Sequence, residues 1–231
     1  MTGNSSSYRF ALVFTTAVVA SLLLVMSWPR LNASLRYLPV DTAISNYWKS
    51  HEFDHTQLDG LIARAGESIA IHDHYRYREG LSELQILRSH DMSLSFWERR
   101  QALELSILAA IEVVKQAPAK PRTWLRIARA KEFLAYPAEE VIPPLKMSIL
   151  TGRVEPRLML TRLELGLRYL PVLDDEDLRL IRDQAMLTWA SQKRPMIKRI
   201  ESGALSLDLL REVLSEHDQD IILEMEAHFV Q

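Results

Sequence analysis

The sequence predicts an all-α protein: an N-terminal transmembrane helix followed by a TPR-like array of antiparallel helical hairpins. Three observations lead there. Residues 10–28 hold no Asp, Glu, Lys, Arg, His, Asn, Gln, Gly or Pro. Beyond them, apolar residues recur at i, i+3 and i+4, with no stretch alternating as a strand would. Proline and glycine then punctuate the chain at short intervals, as turns between helices do.

As a helix rising about 1.5 Å per residue, residues 10–28 nearly match a hydrocarbon core of about 30 Å. Tyr8 and Trp28 stand at the two ends, where amphipathic rings favour the headgroup level. Arg9 and Arg30 bracket the run, and Pro29 is expected to stop it. A cleaved signal peptide is the competing reading. The run exceeds an ordinary signal core and its flank carries only Arg9, and the nearest cleavage candidate, Ala33 preceded by Leu31, is a poor match. An uncleaved anchor is therefore expected. The short tail at residues 1–9 favours N-in insertion, which leaves the C-terminal domain outside the cytoplasm; Arg30 and Arg36 nearly balance the charge count.

Residues 29–40 read as a linker and residues 41–231 as the helical domain. Asp41 is placed to cap a short helix to Lys49, with Ile44, Tyr47 and Trp48 on one side. Helices are expected over 54–71 and from Asp73 or His74 to Ser89. Ser95 and Glu98 form an S-x-x-E capping box ahead of 96–116. Pro121 opens a helix to Ala135, with Trp124, Ile127, Ala128 and Phe133 facing the core. Pro143 and Pro144 are expected to break the helix over 138–150. Residues 155–170 are apolar almost all round, so that helix should be buried. Acids at 174–177 suit a helix start running to Ser191. Short helices at 195–202, 206–214 and 218–229 complete the chain.

The tetratricopeptide pattern is met in part from Trp124, with Ile127 and Ala128 in place but Lys131, Glu140 and Pro144 at the later positions. The helix with Trp-x-x-Ile-Ala-Arg-Ala at 124–130, the segment from Leu145 to Gly152-Arg153, Glu155-Pro156 before the Leu-rich helix, and Gly166-Leu-Arg-Tyr-Leu-Pro171 resemble the VpsP-type family of exopolysaccharide biosynthesis proteins. The likeness is best over 124–194. It implies anchorage in the bacterial inner membrane, a periplasmic helical domain, and a supporting role in polysaccharide assembly or export beside other proteins of that machinery. It carries over no catalytic residues. A general envelope TPR-like protein, or a chaperone for cell-wall enzymes, fits the same pattern.

The chain has no cysteine, which removes disulfides, Cys-ligated zinc and thiol nucleophiles. No Gly-rich phosphate loop or metalloprotease motif occurs, so no cofactor is expected. His72, Asp73 and His74 offer metal-ligating groups, but i and i+2 diverge on a helix, so only a turn would bring both imidazoles to one ion. A carboxylate enzyme would draw on Glu139-Glu140 or the acids at 174–177, which helix-dipole preferences already explain.

The net charge of −2 gives no case for nucleic acid. Its distribution is uneven: eleven basic residues face five acidic ones between Lys115 and Arg168, and from Glu201 onward Arg211 stands against eight acids. Arg122, Arg126 and Arg129 fall at i, i+4 and i+7. They form either a solvated face paired with the acidic tail, or a contact for an anionic polysaccharide, a lipid headgroup or an acidic partner.

Overall fold

The computed structural model describes residues 4–214 and 218–228. The last predicted helix end, at Phe229, lies outside the described residues, as do the side chains of Tyr8, Arg9 and Phe10. Helices account for nearly all of what is described, and no strand occurs among those residues.

The first helix, α1 (Asn4–Ser50), corrects the boundary expected at Pro29. It runs 47 residues without interruption, with Pro29 and Pro39 inside it. The stretch expected as a linker over 29–40 is helix, and so is the start of the expected domain. Each proline removes one backbone donor and crowds the carbonyl four residues earlier. The loss is offset by packing: Ala33, Tyr37 and Val40 are all buried against the next helices. At about 1.5 Å per residue α1 is about 70 Å long. Among the described residues it is the one helix long and apolar enough to cross a membrane.

The helices that follow are α2 (Leu58–Ile71), α3 (Tyr75–Ser89), α4 (Phe96–Gln116), α5 (Pro121–Phe133), α6 (Ala138–Thr151), α7 (Pro156–Arg168), α8 (Asp175–Glu201), α9 (Leu207–Leu214) and α10 (Gln219–Glu226). Each packs on its neighbour in sequence, and α1–α3, α5–α7 and α6–α8 touch across one intervening helix. Contacts are therefore largely local. One apolar cluster joins α1, α2 and α3, a second joins α4 and α5, and the largest gathers α5 through α10.

Local chemistry explains most of the ends. Ser95 and Glu98 form the reciprocal capping box that starts α4, and Pro121 and Pro156 sit in the first turns of α5 and α7. The break expected at Pro143-Pro144 does not occur, and α6 is continuous. The missing donors would have bonded Glu139 and Glu140 in the exposed first turn, where water serves their carbonyls. Pro195 acts as expected. It bends α8 at Gln192 (φ −137°, ψ 39°), dividing it close to where two separate helices were anticipated.

Phe133 departs from expectation: it is 78% exposed, and Leu134 takes the inward position. The chain reverses there through Ala135 at φ 58°. Ala135 N–H bonds the Glu132 carbonyl and Tyr136 N–H bonds that of Lys131, the bonding of a Schellman cap. A left-handed alanine costs roughly 1–2 kcal/mol, part of which glycine gives back in chain entropy. Ala135→Gly is therefore expected to raise stability by about 0.5–1 kcal/mol, read as a higher midpoint in urea unfolding.

Candidate functional site

Arg122 and Arg126 of the α5 stripe line a cleft of about 330 Å³ between α1, α3 and α5. Its floor is built by a close approach of α1 to α3. A Cβ on Gly80 would stand 1.8 Å from the Tyr37 hydroxyl, so only glycine lets the phenol lie there. Tyr37 donates to the Arg76 carbonyl at 3.2 Å and its ring meets Tyr77 at 4.7 Å. Burial, with Asp41 nearby, raises the Tyr37 pKa well above the ordinary phenol value, so the hydroxyl stays protonated.

Each carboxylate in the cleft has a cation against it. Arg126 pairs with Glu83, and both side chains are about nine-tenths buried. Arg126 also donates to the Ser82 hydroxyl and the Glu79 carbonyl, each at 3.3 Å. Burial pushes its pKa down to about 10, with Glu79 and Tyr37 opposing, so it remains a cation at neutral pH. Glu79 accepts from Lys120 and Thr123 at 3.3 Å, and Arg76 holds Asp41 at 2.8 Å.

The three stripe residues therefore have three different environments. Arg126 is committed inside. Arg122 is exposed and lies over the Trp48 ring, 5.6 Å from its centroid, at the cleft rim. Arg129 is exposed beside His90, whose pKa is lowered by burial and by that neighbouring charge. The rim offers a guanidinium stacked on a half-exposed indole, above paired carboxylates and a protonated phenol. Such a surface can hydrogen-bond a polar chain while giving a flat apolar face to stack on.

The other basic residues between 115 and 168 bond mainly to nearby acids rather than to the acidic tail. Lys131 pairs with Glu140, Lys146 with Glu176 and Asp177, Arg153 with Asp183, and Arg168 with Glu132. In the tail, Arg211 holds Asp208 and Glu226, and Glu224 reaches Lys193 of α8. Of the carboxylates considered for catalysis, Glu140, Glu176 and Asp177 are held in these pairs, and Asp174 caps α8 by accepting the Asp177 N–H.

Asp73 and His74 have other duties, and His72 ends α2 through its backbone N–H. Asp73 forms a two-bond pair with Arg78 and accepts from Gln116. Among the described residues no group of three such side chains is placed to hold a metal ion. His74 caps α3: its Nδ1 accepts the Arg76 N–H at 3.3 Å, which requires an unprotonated nitrogen. Burial first, then the charges of His72, Arg76 and Arg30, lower its pKa, with Asp73 opposing. The folded chain thus holds this proton less tightly than the unfolded one. The cap's contribution is complete above the ordinary histidine range and is lost as pH falls below about 6.5. A pH series of melting temperatures should fall between pH 7 and 5, and His74→Asn, which caps at either pH, should flatten that slope.

Sequence reading missed Tyr37, Glu79, Gly80 and Glu83. The one available signal was Gly80, a glycine inside a helix otherwise rich in good formers.

Outside the cleft, Phe96 and Trp97 at the start of α4 are 59% and 72% exposed, and Leu105 and Leu108, two to three turns further along, are also exposed. Compared with known proteins, the chain matches no family model, no curated protein and no solved structure.

Proposed function

We propose that this protein is a non-catalytic, membrane-anchored helical scaffold, with α1 crossing the membrane and a TPR-like array of helical hairpins holding a partner beside it. The observation that carries the reading is the continuity of α1. The apolar segment passes without a break into the helix whose Ala33, Tyr37 and Val40 are core residues. An array built on its own anchor is held at a set height and angle. That geometry suits positioning better than it suits turnover of a diffusing substrate. The uncovered aromatic face of α4 supports a protein partner, since exposed apolar patches on a folded surface mark interaction sites. The Arg122–Trp48 rim supports contact with a polar chain.

The likeness to VpsP-type proteins directs the proposal to bacterial exopolysaccharide synthesis or export, with the array on the periplasmic face of the inner membrane. The test is site-specific photo-crosslinking from Trp97 and Arg122 in native membranes, beside a topology reporter after Gln231. Capture of a polysaccharide-assembly component with a periplasmic reporter signal is the expected result. A cytoplasmic signal, or capture of no envelope component from either position, would overturn it.

A further inference from the structure

One side of α1 remains apolar and uncovered after the helix leaves the segment read as membrane-spanning. Trp28, Leu31, Leu35 and Leu38 are 63%, 51%, 60% and 59% exposed. Their spacing alternates three and four residues, the rhythm of a coiled-coil seam. The opposite side of the same turns carries Ala33, Tyr37 and Val40, which pack within the chain's own α1–α3 core. The chain's own packing therefore accounts for one side of the helix and leaves the other bare.

Followed toward the N-terminus, the rhythm continues without a slip through Leu24, Ser21, Ala17 and Phe14. Ala17 and Ser21 are small residues one turn apart, the arrangement that lets two helices approach closely in lipid. No charged residue lies on this seam. Of the charges nearest it on α1, Arg36 and Asp41 are already paired within the chain with Glu67 and Arg76, and Arg30 lies off the seam, near enough to His74 of the chain's own body to act on its pKa. Two copies inserted in one membrane share their orientation, and an in-register parallel pair brings Leu31, Leu35 and Leu38 against their own equivalents. The seam spans about 36 Å at 1.5 Å per residue. With its large side chains covered, two copies would bury on the order of 1,000 Å², near the lower bound of a stable interface. Confinement of both chains to one bilayer favours the pair further, because neither has to be oriented from solution.

We propose that the chain forms a parallel homodimer through α1, along the seam from Phe14 to Leu38. The proposal rests on the reading that α1 crosses the membrane.

The absence of cysteine allows a direct test on the full-length chain in native membranes. Leu31→Cys, Leu35→Cys and Leu38→Cys are made singly, with Arg36→Cys and Glu67→Cys as exposed controls off the seam. Mild oxidation is followed by non-reducing electrophoresis. The expected result is a reducible adduct of twice the chain mass at the seam positions, forming at least tenfold faster than at the controls. Leu35→Lys/Leu38→Lys should lower cross-linking from Leu31→Cys at least tenfold while helix content by circular dichroism stays the same. Equal rates on and off the seam, no adduct, or an adduct whose mass identifies a different protein would each overturn the homodimer. The membrane reading has its own readout: release of the chain by alkaline carbonate overturns that reading whatever the cross-linking pattern.

Discussion

Glu83→Ala is expected to lower stability by about 3–5 kcal/mol, because it leaves the Arg126 cation buried without its partner. The pair joins α3 to α5, with side chains 10% and 8% exposed. Burial already works against the charge on Arg126. The guanidinium keeps its bonds to Ser82 and the Glu79 carbonyl, but neither supplies a negative charge. Replacing both members by apolar residues of similar size, Glu83→Leu with Arg126→Met, should recover most of the loss, since no ion is then left desolvated. The measurement is equilibrium urea unfolding of the full-length chain in mild detergent for both singles and the double. Additive losses in the double would show that the pair is not the unit of stability. Arg122→Ala, at the exposed rim, should change the midpoint little. It should matter for contact with a partner, which separates the structural arginine from the one available for recognition.

Arg162→Ala is the other large effect, again about 3–5 kcal/mol. Arg162 is fully buried in α7. It donates to the Ser148 hydroxyl at 2.9 Å, the Ser148 carbonyl at 2.6 Å and the Gly152 carbonyl at 2.8 Å. Those carbonyls belong to the C-terminal end of α6, where unpaired acceptors and the negative end of the helix dipole concentrate. The cation thus serves as the cap that α6 lacks in its own side chains. Burial lowers its pKa to about 10, with Glu155 opposing, which leaves it charged throughout the neutral range. Removal orphans two buried carbonyls and opens a hole the width of a guanidinium. Arg162→Lys keeps the charge but loses the fork, and should recover only part of the loss. Unfolding midpoints in urea, compared across the three chains, check the order Arg, Lys, Ala.

Both residues mark where sequence reading stopped. The i, i+4, i+7 spacing of Arg122, Arg126 and Arg129 says that they share a side of α5, but not whether α1 and α3 cover part of that side. Tertiary packing covers Arg126 and spares its neighbours. Arg162 sits in a helix read as apolar almost all round, where the sequence offers it only as one of the eleven basic residues between Lys115 and Arg168. Only the turn of α6 that ends beside it explains the burial. Signals that act within a few residues were legible: the Ser95–Glu98 box, the prolines opening α5 and α7, and the bend before Pro195. Pro29 and Pro143 misled for different reasons: the turns that follow Pro29 pack on α2 and α3, which outweighs a local cost, whereas the acceptors that Pro143 and Pro144 leave free lie in the exposed first turn of α6.

The unbroken course of α1 means that the folded body and its attachment cannot be parted at the expected boundary. A chain beginning at residue 41 would lack Ala33, Tyr37 and Val40, three of the buried side chains on which α2 and α3 close. A cut after Ala33, the poor match that is the nearest cleavage candidate, falls inside that same packed turn. Trimming the apolar segment therefore has to stop short of Ala33, and if α1 crosses a membrane as proposed, its tilt there is passed directly to the body.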